Sequence, residues 1–412
     1  MERTEVCGRL QFRENDQFFI SHPMRTIITD AALPRKEFLA LNQVKPKSRN
    51  QTFQWLEALA IIMVIDDHVS TRVGILSSVF PYNSFYMPML VFISGYFFKD
   101  RGVGEGIQHK VLHLLVPYII WSLAGDALSY ILYRCGIVNW FSSPFNLRTI
   151  QNLLFLEPLS SITGAGWFVI MLFWVEVGYL VLNRLLCLGK RKKDYALLVL
   201  LIVIGFVDLK LCMDGLPGAK RIYRFVLRSI WYLQFYHMGR MFRLYWEKHV
   251  EQWRLLYACG ACCAVNVLLI CVYGDKANFI ATSNMRNFNS WWMPLCTSIT
   301  GTLFWYKVMQ MMSSRIGRVK IVDFVAENTF TIMMSHLMFV NIPNFIVYFQ
   351  ILRGSTEFSD FPAKDFVAGA WVRYSPSTRL AGFFCGLLGS LLVAWVINRV
   401  KERIAGLRHA SH

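Results

Sequence analysis

The chain has 412 residues, and 55% of them are hydrophobic, more than a soluble globular protein carries. Its formal net charge is +17, but the basic residues stand between apolar runs, which argues against a nucleic-acid-binding surface. The class that remains is a polytopic protein embedded in a lipid bilayer.

The N-terminal region, residues 1–52, mixes charged residues with Pro and Asn and contains no apolar run of signal-peptide length. We expect a poorly ordered cytoplasmic tail there. A membrane domain is expected over residues 53–400, followed by a short basic cytoplasmic tail at residues 401–412.

The first apolar segment, residues 54–72, carries an unusual number of ionisable side chains. They are Glu57, Asp66, Asp67, His68 and Arg72. On a helix, eleven residues return to within about 20° of the same face, so Glu57 and His68 share a stripe with ends about 16 Å apart. A charge facing lipid costs at least about 2.5 kcal/mol, so this stripe is expected to line a cavity inside the bundle.

Nine further apolar segments follow, each recognised by its length and hydropathy. They are residues 84–98, 111–133, 166–188, 195–213, 222–242, 255–274, 291–312, 322–350 and 380–399. The sequence therefore predicts an all-α membrane bundle of about ten transmembrane helices. A bend is expected near Pro343, inside the longest segment.

The basic residues between the segments predict the orientation of the bundle. The loops after even-numbered segments are richer in Lys and Arg, as in Lys190–Lys193, than the alternate loops. Because basic loops stay in the cytoplasm, we expect a multi-pass protein of the cell membrane with both termini cytoplasmic. Two long loops on the other side, residues 134–165 and 351–378, are candidates to cap a site.

The ten cysteines do not suggest a metal site. Most lie in or beside apolar runs, and Cys259, Cys262 and Cys263 share one segment with no second pair of ligands in the sequence. We interpret them as small buried apolar residues, with neither a metal nor a disulfide framework.

Five stretches, taken in order, resemble the family-three membrane acyltransferases. They are Leu56–His68, Phe85–Phe98 with its Ser-Gly pair, Lys110–Tyr118 with its Pro-Tyr, Gly166–Phe168 with its Trp-Phe, and Glu327–His336. The resemblance spans residues 53–400. It departs from the family at Glu57, where a basic residue is usual, and at His113, where an Arg is common.

The resemblance implies a membrane O-acyltransferase. Members of that family move acyl groups from coenzyme A to hydroxyls of cell-surface glycans, so the expected donor is an acyl-coenzyme A, most simply acetyl-coenzyme A. The expected acceptor is a hydroxyl of a glycan or a similar polar molecule. The resemblance also aligns His336 with a late family histidine.

His68 is the candidate general base, since acyl transfer to a hydroxyl needs a group that accepts a proton near neutral pH. We predict His68 and Asp67 as the catalytic residues, with Asp66 the other candidate neighbour. Adjacent helical residues point about 100° apart, so both carboxylates cannot easily face the imidazole. The alternative is a structural histidine bonded inside the bundle.

Arg224 and Arg228 are the candidate donor-binding residues. A spacing of four places them on one face of a helix, and a guanidinium can hold phosphate oxygens with two parallel hydrogen bonds. We therefore predict that they bind the phosphates of coenzyme A. The alternatives are pairing with an intramembrane carboxylate, Glu176, Asp126 or Glu327, or reaching out to the membrane interface.

A second class of function fits the same features. A transporter or flippase of a polar or lipid-linked solute also needs a charged intramembrane cavity, although many transporters show two inverted halves, which this sequence does not reveal. The oligomeric state has no signature in the sequence.

Overall fold

The computed structural model describes residues 50–69, 79–80, 82–141, 146–274, 284–286, 288–372 and 376–410. In these ranges the regular structure is entirely helical. Residues 1–49 of the predicted tail and Arg72 of the first segment lie outside them.

The helices are numbered here in chain order. They are α1 Gln51–Val69, α2 Tyr82–Tyr96, α3 Val103–Lys110, α4 Val116–Arg134, α5 Leu147–Phe155, α6 Trp167–Leu186, α7 Arg191–Met213, α8 Leu216–Ala219, α9 Arg221–Met241, α10 Glu247–Glu251, α11 Leu255–Tyr273, α12 Met293–Ile316, α13 Lys320–Glu327, α14 Thr329–Val340, α15 Ile342–Leu352, α16 Ala363–Ala368 and α17 Pro376–Ala410. Two π-helical turns, Val111–Leu115 and Phe242–Trp246, join α3 to α4 and α9 to α10, and a 3₁₀ turn, Ser161–Gly166, leads into α6.

Every apolar segment predicted from the sequence coincides with one or more of these helices, so the all-α membrane architecture is confirmed. Within the described ranges, six helical spans are long and apolar enough to cross a membrane. They are Val103–Arg134, Ser161–Leu186, Arg191–Met213, Leu255–Tyr273, Thr329–Leu352 and Thr378–Ile404. The predicted number of about ten crossings is therefore not confirmed.

Helix α1 lies at the centre of the bundle. It packs against α2, α12, α13, α14 and α17. Phe53, Leu56, Ile61 and Ile65 are buried along its length, together with the polar Asp66 near its end. Because neighbouring helices surround α1, its polar stripe meets protein rather than lipid, as the cost of a charge in lipid requires.

Helices α2 and α9 approach each other more closely than side chains would allow. A Cβ placed on Gly95 would lie 1.9 Å from the carbonyl oxygen of Tyr236, and one on Gly239 would lie 1.9 Å from that of Phe92. Small residues of this kind let membrane helices pack backbone to backbone. The Ser-Gly pair of the second family-like stretch therefore includes a packing contact.

The helix is interrupted next to Pro343, where the sequence predicts a bend. The long apolar segment divides into α14 and α15 at Asn341, and Pro343 occupies the first turn of α15, where its missing N–H removes no helical hydrogen bond. The segment is also interrupted at Asn328, between α13 and α14.

A polar cluster joins α6, α7 and α9, and its members are Tyr179, Asn183, Asp194, His237 and Arg240. Both ring nitrogens of His237 are used, one against the Tyr179 hydroxyl at 2.7 Å and one against the Asp194 carbonyl oxygen at 2.9 Å. Arg240 donates to the Tyr179 oxygen at 3.2 Å and to Oδ1 of Asn183 at 2.6 Å. These groups satisfy one another inside the protein, as buried polar groups must.

Candidate active site

A cavity of about 850 Å³ opens beside the C-terminal end of α1. Its walls come from α1, α2, α5, the segment that joins α5 to α6, α14, and the loop that follows α16. Much of its lining is polar or aromatic and includes Asp67, His68, Tyr86, Asn146, Asn152, Glu157, Ser161, Trp167, Asn284 and Trp371. The two long loops singled out in the sequence both contribute to this lining.

His68 lies in the last turn of α1 and is half-buried in the cavity wall. Its ring centroid is 5.1 Å from that of His336 and 5.5 Å from that of Trp371. The structure thus brings together two histidines that are 268 positions apart in the chain. Sequence reasoning reached His336 only through the family resemblance.

His336 is fully buried behind His68 on α14. Its Nδ1 lies 2.8 Å from the carbonyl oxygen of Ile332. A carbonyl oxygen can only accept, so Nδ1 carries the proton and donates, which leaves the Nε2 lone pair as the acceptor side of the neutral ring. The backbone of α14 thereby fixes the ring orientation and the tautomer of this histidine.

Asp67 also lines the cavity, and a side chain of α2 holds it in place. The hydroxyl of the buried Tyr86 donates to Oδ2 of Asp67 at 3.1 Å. The predicted catalytic pair, His68 and Asp67, therefore faces one cavity, while the role of Asp67 in the chemistry stays a prediction. Glu57, at the other end of the predicted stripe, is half-buried and is not among the residues that line this cavity.

Arg224 and Arg228 stand behind the cavity wall on α9. Arg224 donates to Oδ1 of Asn284 at 2.6 Å and to Oε1 of Glu157 at 3.4 Å. The buried Arg228 donates to the carbonyl oxygen of Leu156 at 2.8 Å, and its guanidinium carbon lies 5.4 Å from the Trp167 ring centroid. Both therefore have partners in the protein, and donor binding by them stays a prediction.

One of the carboxylates named as alternative partners of these arginines pairs with another cation. Glu176, buried on α6, pairs with Lys110 at 2.8 Å. Lys110 comes from the family-like basic stretch, so that stretch supplies an internal cation to the bundle. The carboxylate that Arg224 does contact, Glu157, belongs to a loop.

Several residues of the cavity were missed from the sequence. Asn152 and Ser161 line the cavity, and their buried Oδ1 and Oγ atoms have no hydrogen-bond partner within the described part of the chain. Trp371 packs over Gly164, where a Cβ would lie 2.7 Å from the Trp371 ring. The available signal was the richness of the two long loops in Trp, Asn and Ser.

In the described ranges, no group of three or more His, Cys, Asp or Glu side chains is placed to bind a metal ion. The three cysteines on α11 are free thiols in contact with apolar neighbours.

A comparison with known protein families assigns the chain to one of them. A family model described as an acyltransferase domain, of acyltransferase family 3, matches residues 50–399. The chain belongs to acyltransferase family 3. No curated protein and no solved structure gave a significant match to it.

In this member of acyltransferase family 3, the five family-like stretches contribute to the cavity and to the packing of the bundle. The first and last supply His68 and His336, which meet in one wall of the cavity. The fourth supplies Trp167, at the start of α6 on the same cavity. The second and third supply a helix crossing at Gly95 and an ion pair at Lys110. The family supports a membrane acyltransferase, and the cavity at the end of α1 is its candidate site.

Proposed function

We propose that this protein transfers an acyl group, most simply acetyl, from acyl-coenzyme A to a hydroxyl of a glycan or a similar polar acceptor. The observation that carries this proposal is the meeting of His68 and His336 on the wall of a single polar and aromatic cavity. Family membership supports acyl transfer in general. The donor, the acceptor and the roles of individual residues belong to the proposal.

His68 would act as the general base. It takes the proton of the acceptor hydroxyl while the oxygen attacks the thioester carbonyl carbon. The new C–O ester bond replaces the C–S bond, and the coenzyme A thiolate leaves with the proton that His68 had taken. A base positioned in this way accelerates such a step by about 10²-fold to 10⁴-fold.

His336 would act on His68 rather than on the substrates. Its backbone hydrogen bond presents the Nε2 lone pair, and its ring lies 5.1 Å from that of His68 by centroids. A fixed ring packed against a catalytic imidazole in this way can hold it in one orientation.

The lining of the cavity suits a polyhydroxyl acceptor. Amide, hydroxyl and carboxylate side chains can exchange hydrogen bonds with hydroxyl groups, and the exposed face of Trp371 offers a flat apolar surface to the C–H face of a sugar ring. A volume of about 850 Å³ lies in the upper part of the range for small-molecule sites, so it can admit an acceptor ring together with a thioester arm.

The basic loops supply the direction of transfer. With both termini in the cytoplasm, α1 starts at the cytoplasmic side and His68 lies near the opposite face. The acyl group would then pass from cytoplasmic coenzyme A, through the bundle, to an acceptor outside. In this orientation Arg224 and Arg228 lie at the outer end of α9.

The test is an assay of the purified protein with acetyl-labelled acetyl-coenzyme A and a panel of neutral oligosaccharides. The proposal predicts that label appears on the oligosaccharide as an alkali-labile ester, with one free coenzyme A thiol for each ester formed. Binding or movement of an oligosaccharide with no ester and no free thiol would contradict it and favour the transporter.

A further inference from the structure

Glu157 holds a distinctive position in the cavity wall. It lies in the segment between α5 and the 3₁₀ turn, lines the cavity, and leaves 41% of its side chain exposed. Among the residues that the structure describes, its one hydrogen-bond donor is Arg224, which reaches Oε1 at a long 3.4 Å. An ionised carboxylate has about four lone-pair positions. Most of the accepting capacity of Glu157 is thus available to a molecule in the cavity.

Arg224 ties together two parts of the wall that are distant in sequence. One side of its guanidinium meets Glu157 and the other meets Asn284, and both of these residues line the cavity. The Arg224 side chain itself is only 16% exposed and is not among the lining residues. Its charge is therefore directed at the wall residues.

Arg228 fastens the backbone that carries Glu157. Its Nη2 atom donates to the carbonyl oxygens of Phe155 at 3.1 Å and Leu156 at 2.8 Å, the two residues directly before Glu157. The planar guanidinium also lies over Trp167, a contact that fixes its plane. Two successive turns of α9 thus hold one short stretch of the wall.

We propose, on the basis of the proposed function, that Glu157 is an acceptor-binding residue and that Arg224 is a positioning residue that aims its carboxylate into the cavity. The ligand class is a group that donates hydrogen bonds, namely the paired hydroxyls of a neutral sugar or the ammonium of an amino sugar. Hydrogen bonds to a charged carboxylate are roughly twice as strong as those between neutral groups.

The expected selectivity for the charge of the acceptor applies at the Glu157 position and not to the whole cavity. Arg148 lines the same cavity from the exposed first turn of α5, so the cavity contains both signs of charge. A carboxylate on the acceptor is disfavoured at the Glu157 position, because two like charges in close contact repel each other.

Positioning of Glu157 by Arg224 and donor binding by Arg224 predict opposite changes in the two KM values. If Arg224 held coenzyme A phosphates, its replacement would raise the KM for the donor. If Arg224 positions Glu157, then Arg224→Gln and Glu157→Gln raise the KM for the acceptor by similar factors and leave the KM for the donor within about twofold.

The first experiment measures both KM values for the wild type, Glu157→Gln, Arg224→Gln, Arg224→Lys and the double variant. We expect acceptor KM to rise about tenfold in each Gln variant, equivalent to about 1.4 kcal/mol, and no further in the double variant, because the two residues act as one unit. Arg224→Lys should give an acceptor KM between those of the wild type and Arg224→Gln, since Lys keeps the positive charge and lacks the planar guanidinium. Asp214→Asn, which breaks the exposed Lys210–Asp214 pair, serves as the matched control and should change neither value.

The second experiment measures binding without turnover, as the thermal stabilisation of the purified protein by three probes. These are maltotriose, the trimer of glucosamine, and trigalacturonate. We expect the neutral and ammonium-bearing probes to bind the wild type at least about tenfold more tightly than the carboxylate-bearing probe, and this discrimination to fall below about threefold in Glu157→Gln.

Three results would overturn the inference. They are a raised donor KM with an unchanged acceptor KM in Arg224→Gln, equal binding of all three probes by the wild type, and no binding of any of them. Failure of the proposed function looks different, because a protein that bound these probes through Glu157 without forming an ester would keep the subsite and lose the transferase.

Discussion

Two polar regions of this bundle contain the same kinds of side chains in different arrangements. In the cluster of α6, α7 and α9, His237 uses both ring nitrogens and Arg240 bonds to Tyr179 and Asn183. Around the cavity, His68 faces an open space of about 850 Å³. A histidine with both nitrogens used inside the protein has no lone pair for a substrate, whereas His68 faces a space that a substrate can enter.

Comparing the two regions distinguishes polar residues that stabilise a membrane protein from polar residues that are candidates for function. Both regions would be flagged by the rule that intramembrane ionisable residues are functional. The distinguishing features are space and unused bonding capacity. At the cavity, the Glu157 carboxylate accepts one long hydrogen bond from Arg224 and is otherwise open within the described ranges, whereas the groups around His237 complete one another's hydrogen bonds.

The largest effect is expected for His68→Ala. Loss of the base should reduce acetyl transfer by about 10²-fold to 10⁴-fold, with little change in the thermal unfolding midpoint. The measurement is the transfer rate per folded molecule in membranes that contain equal amounts of protein. Near-normal transfer would remove His68 as the base and make His336 the next candidate.

Arg240→Ala should show the opposite behaviour. It leaves Asn183 and Tyr179 without a charged donor, which should cost roughly 2 to 3 kcal/mol of stability, while the transfer rate per folded molecule stays within about threefold of the wild type. The thermal unfolding midpoint in detergent reports the loss. Arg399→Ala is the control, because its pair with Glu402 is exposed and should contribute little. A large loss of rate at unchanged stability would place this cluster in the reaction.

Gly95→Ala should destabilise the crossing of α2 and α9 by about 1 to 3 kcal/mol, since its Cβ would collide with the Tyr236 carbonyl oxygen. The matched control is Gly178→Ala, at a helical glycine with nothing within 4 Å, which should be neutral or slightly stabilising. The amount of folded protein after detergent extraction measures both. Equal behaviour of the two variants would contradict the close approach of the helices.

The smallest effects are expected at Glu57. If it pairs with a cation from another helix, Glu57→Gln should lower stability by about 0.2 to 1 kcal/mol, and Glu57→Arg by more, because two cations would then meet. Thermal unfolding of the two variants decides the order. Faster acetyl transfer by Glu57→Arg would instead show that the basic residue usual in this family improves the site.

The sequence predicted the fold further than it predicted the site. Apolar runs mark helices because their length and composition are set by the membrane, and the helix break before Pro343 follows from the preference of proline for the first turn of a helix. The break at Asn328 and the π-helical turn after Lys110 have no local pattern in the sequence that predicts them.

At the site, the sequence predicted His68 and Asp67, because ionisable residues are easily recognised within an apolar run. It could not find Trp371 or Glu157, because each lies in a loop where such residues are common, and only the folded chain brings Trp371 to 5.5 Å from His68. The same holds for Arg224 and Arg228. Their spacing predicted a shared face but not that Glu157 and a pair of backbone carbonyls would meet it.

Acyl transfer across the bilayer can be measured in sealed vesicles that contain the purified protein, with labelled acetyl-coenzyme A on the face of the termini and a neutral oligosaccharide on the other. We expect labelled O-acetyl ester on the oligosaccharide side, free coenzyme A thiol on the donor side, and neither product with His68→Ala. Unmodified oligosaccharide crossing the bilayer with no ester formed, in the wild type and His68→Ala alike, would contradict this expectation.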